Sequence, residues 1–237
     1  MWFVLIACLL VTGAGVFSRA GFFLKAQRWR QSTSWVQVQG KVAVALLGVA
    51  LLAASPGDSR ADDADAAAAF LTSLTDQAIE QLTDESLPVM ERERSFRSLF
   101  RANFDIPTIG RFVLGRYWRK ARPEVRKDFL SAFEEIMVQG FAYRFAGYAD
   151  TNFEVVSVRA LKSASQFEVR SRIAPTENEV YRVGWLVEHK NGQFRVLDIV
   201  AEGVSMALTL RSEYASVIKR SGGRVEGLVT QLHKSIE

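Results

Sequence analysis

Past residue 61, apolar side chains recur at helical spacing, then at every second position, then at helical spacing again. Over 62–82, Phe70, Leu71, Leu74, Ala78 and Leu82 form one face, while Asp62, Asp63 and Asp65 suit the positive end of a helix dipole. Pro88 fits the first turn of a second helix, with Val89, Phe96, Leu99 and Phe100 inward and Arg92, Glu93 and Arg97 outward. Asp105 is placed to cap a short helix at Ile106–Leu114, which Gly115 stops. Pro123 opens the longest helix, expected to reach about residue 148, with a stripe of Phe129, Phe133, Ile136, Met137, Gly140, Phe141 and Phe145.

The period then changes to two. Residues 153–162, 166–173, 179–190 and 193–201 alternate as four strands, most clearly in Phe167, Val169, Ser171 and Ile173 against Gln166, Glu168, Arg170 and Arg172. Asn191-Gly192 is a two-residue hairpin signal, and 163–165 and 175–178 read as turns. Two helices follow, over 205–220 (opened by Ser205) and 225–234. This order predicts an α+β domain, with helices packed on one face of a curved, mainly antiparallel four-stranded sheet. Such a fold is able to enclose an elongated apolar cavity, which periodicity by itself does not reveal.

Residues 1–61 differ in character. They hold two apolar runs, 2–17 and 42–54, separated by a basic, polar stretch. Lys25, Arg28, Arg30 and Lys41 precede the second run as the n-region of a secretory signal, 42–54 is its h-region, and Ser59-Arg60-Ala61 offers small residues for cleavage. The run at 2–17 has no basic residue before it. It reads as an over-extended start, or else as a membrane anchor. The expected division is therefore a leader over 1–61 and one domain over 62–237.

Cys8 is the only cysteine, so 62–237 has neither a disulfide framework nor a thiolate metal site. The net charge of +4 belongs to the leader: 1–61 carries six Lys/Arg against one acid, and the remainder 24 against 25. Nucleic-acid binding rests on a basic excess that 62–237 lacks. One local exception is Arg111, Arg116, Arg119, Lys120, Arg122, Arg126 and Lys127, seven cations within 17 residues. This is either solvated surface or an electrostatic contact, with Tyr117 and Trp118 adding rings of the kind found at interfaces.

Enzymatic signals are sparse. His189 and His233 have ordinary surface explanations, Gly203-Val204-Ser205 lacks the second glycine of a nucleophile elbow, and no metal-ligand spacing occurs. Asp198, between Leu197 and Ile199, is either a structural partner for an arginine or a perturbed carboxylate. With Tyr117 it would be the acid–base group of an alternative reading, a cone-shaped isomerase or hydratase. The Phe stripe is core packing, or it lines a lipid tunnel in which Phe133, Met137, Phe141 and Phe145 face Val155, Val169, Val183 and Trp185.

LGRYW (114–118), the F-x-x-x-F of Phe129 and Phe133, and the run Asp198, Glu202, Gly203, Val204, Ser205, Arg211, Tyr214 resemble the MlaC, or toluene-tolerance (Ttg), family over about 70–232. The resemblance implies a monomeric periplasmic carrier without enzymatic activity or cofactor. Such a carrier shuttles phospholipid between an outer-membrane lipoprotein complex and an inner-membrane ABC transporter with an MCE-type ring, maintaining outer-membrane lipid asymmetry. Hopanoid-binding relatives share the pattern. On this reading Leu114, Tyr117, Val204 and Met206 join the apolar pocket, and Arg116, Arg119 and Arg122 contact a headgroup or a partner.

Overall fold

The alternating segments pair in the order in which they occur. The structure is a computed structural model that describes residues 58–84, 86–142, 151–163, 165–176 and 179–236. Helices α1 (Asp58–Leu82), α2 (Val89–Asn103), α3 (Ile106–Leu114), α4 (Arg116–Lys120) and α5 (Pro123–Phe141) come first. Strands β1 (Asn152–Ala160), β2 (Gln166–Thr176), β3 (Glu179–Lys190), β4 (Gln193–Ala201) and β5 (Val204–Ser205) follow, then α6 (Met206–Arg220) and α7 (Val225–Lys234). The sheet is an antiparallel meander in the order β1-β2-β3-β4-β5.

The expected α+β class is what the structure shows, with a fifth strand added to the four. Glu202 and Gly203 have φ of 49° and 85°, as Asn191 and Gly192 have 54° and 74°. Positive φ at both central residues is the two-residue hairpin geometry, so each pair folds the chain straight back. After Gly203 this return pairs Ala201 with Val204 and Val200 with Ser205. Pro175 falls inside β2, not in a turn, at a register irregularity between Ile173 and Thr176 where a missing N–H is tolerated. The residues expected to carry α5 on to 148, Phe145 among them, lie outside the described residues.

Three side chains of α2 depart from the expected arrangement. Arg92 is buried: its Nη2 donates to the carbonyl oxygens of Asp84 at 2.9 Å and Leu87 at 3.4 Å, closing the α1–α2 turn. Val89, in the first turn, is half exposed. Arg97, expected outside, bridges to α5 through Glu134 and Glu135 at 3.2 and 2.8 Å. Asp105 caps α3 as expected, accepting from Thr108 N at 2.9 Å.

Two apolar clusters result. One joins α3, α5, α6 and α7 through Ile109, Phe129, Phe133, Leu210 and Leu228. The other joins α1 to the sheet through Leu71, Leu74, Phe167, Val169 and Val196. Phe104, between α2 and α3, packs against both. It is held there because Asp105 N donates to Val196 O at 3.2 Å, and Arg195 Nη1 donates to the oxygens of Arg101 and Ala102 at 2.8 and 2.6 Å.

Candidate functional site: an apolar cavity

Where the two clusters meet, side chains do not fill the space. A cavity of about 240 Å³ remains. Leu74, Ala78, Ile79 and Leu82 of α1 form one wall, and Phe96, Leu99 and Phe100 of α2 form the next. Phe133, Met137 and Phe141 of α5 stand beside them, with Ile109 of α3 and Leu210 of α6. The sheet contributes Ile173, Trp185, Leu197 and Ile199. An apolar cavity of about 150 Å³ stays dry and admits benzene, so this larger one is suited to hydrocarbon and not to water.

Its few polar groups are mostly committed elsewhere. Asp198 Oδ1 accepts from Ile199 N at 2.8 Å and Ala207 N at 2.9 Å, and Oδ2 accepts from the Ser205 hydroxyl. Ser205 Oγ in turn accepts from Leu208 N at 3.0 Å. Asp198 and Ser205 together cap α6, satisfying donors a helix start leaves open. The partner of Asp198 is thus a helix N-terminus and not an arginine. Trp185 Nε1 donates to Ser171 Oγ at 2.9 Å, leaving its ring for the cavity. Thr151 Oγ1 is buried at the cavity wall without a hydrogen-bond partner among the described residues.

Of the residues singled out from sequence, Phe133, Met137, Phe141, Trp185 and Met206 line the cavity. The others do not. Leu114 and Tyr117 are buried within the helical cluster. Val169 lies under α1, and Val155 packs half-buried against the cluster that joins α1 to the sheet. Val183 is packed opposite Ala201, and Val204 is 45% exposed on β5. The α1 and α2 walls were legible as apolar faces, but nothing in the chain marked them as facing a hollow.

The basic segment lies outside the cavity. Arg116 Nη2 donates to Tyr117 Oη at 2.9 Å, Arg122 pairs with Glu226 at 3.5 Å, and Arg126 Nε donates to Trp118 O at 2.9 Å. Arg119 is exposed. His189 stacks on Phe194 with its Nδ1 3.3 Å from Asp63, and His233 Nε2 is 2.8 Å from Asp128. Among the described residues no three His, Cys, Asp or Glu side chains gather as a metal site. No described helix is long and apolar enough to cross a membrane.

Helices over one face of an antiparallel meander, with an apolar hollow between the layers, define the structural class. The sequence model of the MlaC protein family matches residues 72–234, and the chain belongs to that family. Among curated relatives, the intermembrane phospholipid transport system binding protein MlaC of Haemophilus influenzae is 24% identical over 129 residues, 53% of this chain and 59% of that protein. The toluene tolerance protein ttg2D of Pseudomonas putida is 22% identical over 111 residues, 47% of this chain and 51% of that one. The chain thus spans only a little over half the length of these relatives. A phospholipid-binding protein from Ralstonia solanacearum, solved in complex with a phospholipid, shares the fold with a TM-score of 0.65 at 20% identity, covering 72% of this chain and 96% of that one.

Proposed function

We propose that the protein is an exported, periplasmic phospholipid carrier that acts by partitioning and makes no covalent bond to its cargo. The observation that carries this reading is the apolar cavity between α1, α2, α5 and the sheet. Each CH₂ moved from water into such a space contributes about 0.8 kcal/mol, so even part of an acyl chain is held firmly. Phe133, Met137, Phe141, Trp185 and Met206 contact the hydrocarbon, and the headgroup stays at the rim. Release then requires a partner that alters the cavity or offers a competing apolar path. The donor and acceptor are an outer-membrane lipoprotein complex and an inner-membrane MCE-type ABC transporter, a reading supported by the transport-system name of the Haemophilus relative. The mature carrier begins near Asp62.

Native mass spectrometry of protein recovered from a periplasm tests the cargo. It is expected to show one two-chain lipid per chain, and Ala78→Trp, which projects a large ring into the cavity, is expected to reduce lipid occupancy at least tenfold in a folded protein. Wild-type protein that is only empty, and that takes up no lipid from vesicles, would end the reading.

A further inference from the structure

We propose that the corner formed by α3, α4 and the start of α6 is a docking surface for an anionic lipid bilayer, a proposal that rests on the carrier reading above. Most arginines elsewhere on the described surface are neutralised. Arg97 and Arg101 meet Glu134, Arg159 and Arg170 share Glu168, Arg172 meets Glu154, and Arg182 meets Glu202. Arg111, Arg116, Arg119 and Arg211 differ. All four face solvent, and none has a carboxylate within ion-pair distance among the described residues. The first three belong to one short stretch of chain, and Arg211 joins them from α6.

Bulky apolar side chains stand among these charges. Phe112 is 40% exposed and Leu208 57% exposed. The Arg211 guanidinium lies 5.0 Å from the centre of the Phe112 ring, and Leu208 is three residues before Arg211 on α6, so the three are contiguous. Val204, on β5 just ahead of that helix, is a further exposed apolar residue, at 45%. Gly115 leaves room for Arg211 beside α3: its φ is +52°, and a Cβ there would meet the Arg211 guanidinium at 3.1 Å.

The chemistry fits a lipid surface with negative headgroups. Binding at a membrane interface scales with the apolar area inserted and with attraction to anionic lipid, and both are present in one patch. Each arginine near such a surface strengthens binding about fivefold. Arginines alone would equally suit an acidic protein. Exposed Phe112 and Leu208 between them suit an interface that accepts separate hydrocarbon side chains. The location matters too. The inner sides of the same helices, Ile109 of α3 and Met206, Ala207 and Leu210 of α6, line the cavity. Docking by this corner brings the cavity wall close to the bilayer in which the donor or acceptor complex sits.

Vesicle flotation of the periplasmic protein tests the proposal, with phosphatidylglycerol–phosphatidylcholine vesicles compared with phosphatidylcholine alone. Wild type is expected to float with the anionic vesicles, weakly with the neutral ones, and progressively less as salt is raised. The pair Arg111→Glu, Arg119→Glu is expected to lose at least tenfold in binding, and the pair Phe112→Ser, Leu208→Ser to lose binding while its charge is intact. Lys219→Glu, the same charge reversal at the far end of α6, should bind as wild type. Circular dichroism checks that each variant is folded. Equal binding to both vesicle types, or double variants that float as well as wild type, would overturn the proposal. So would a wild type that ignores vesicles while the arginine variant loses docking to an acidic partner protein. Native mass spectra separate the two readings. A chain that docks but carries no lipid removes the carrier reading, whereas a loaded chain that never docks removes only this one.

Discussion

At the scale of single residues, the most consequential side chain is one whose role is structural. Asp198 sits on the cavity wall yet commits both oxygens to Ile199 N, Ala207 N and Ser205 Oγ. Asp198→Ala leaves those donors unpaired beside an apolar space and is expected to cost about 2 kcal/mol, with Asp198→Asn recovering part of it. Urea titration reads the difference, and an unchanged midpoint would mean that the cap is dispensable. Glu213 is a second test. Burial pushes its carboxyl above the usual range. The folded state therefore binds the proton more tightly than the unfolded chain, and stability falls as pH rises from the ordinary carboxylate range through the raised value. Glu213→Gln should raise the urea midpoint at pH 7 and give no gain in acid below the ordinary carboxylate range. Equal midpoints at pH 7 would show that the burial is harmless. Glu168 has the opposite sign. The Arg159 hydrogen bond, helped by Arg170, holds its carboxyl low, so the stability it lends is present above the ordinary pKa and lost as pH falls through the lowered one.

At the scale of elements, the seam between α2 and α5 controls one side of the cavity. Arg97 and Arg101 reach Glu134 at 3.2 and 2.8 Å, and Phe96 stacks on Phe141 with ring centres 6.2 Å apart. Pockets for drug-sized ligands occupy roughly 300–1,000 Å³, so walls enclosing about 240 Å³ must part to admit a larger guest. Glu134→Ala removes two ion pairs across this seam. It is expected to cost about 1 kcal/mol or less in stability and to speed exchange of a fluorescent lipid severalfold. Unaltered exchange would place the opening at a different seam. Element types were legible because each segment keeps a single period. Arg92 was misplaced because a long side chain can turn inward when carbonyls await it, as those of Asp84 and Leu87 do. β5 was missed because two residues carry no periodicity. Only the positive φ of Glu202 and Gly203 returns the chain for pairing.

At the scale of the whole molecule, two apolar clusters share a boundary and the cavity is the space they leave between them. That explains the mixed fate of the tunnel residues. Phe133 and Met137 belong to a stripe that is packed along most of its length and faces the hollow only at its C-terminal end, while Val169 and Val183 point to the same side of the sheet but meet other side chains. The same holds for charge. The near-neutral balance of 62–237 was readable by counting, but which arginines lack a carboxylate depends on how helices and strands face one another. By itself the sequence determined the helix–sheet–helix order, the Asn191-Gly192 hairpin, the caps at Asp105 and Ser205, and the family, because these rest on local periodicity, turn chemistry and contiguous motifs. Only the tertiary structure decided where the interior is empty. A void is a mismatch between surfaces that lie far apart along the chain, and no local pattern records it.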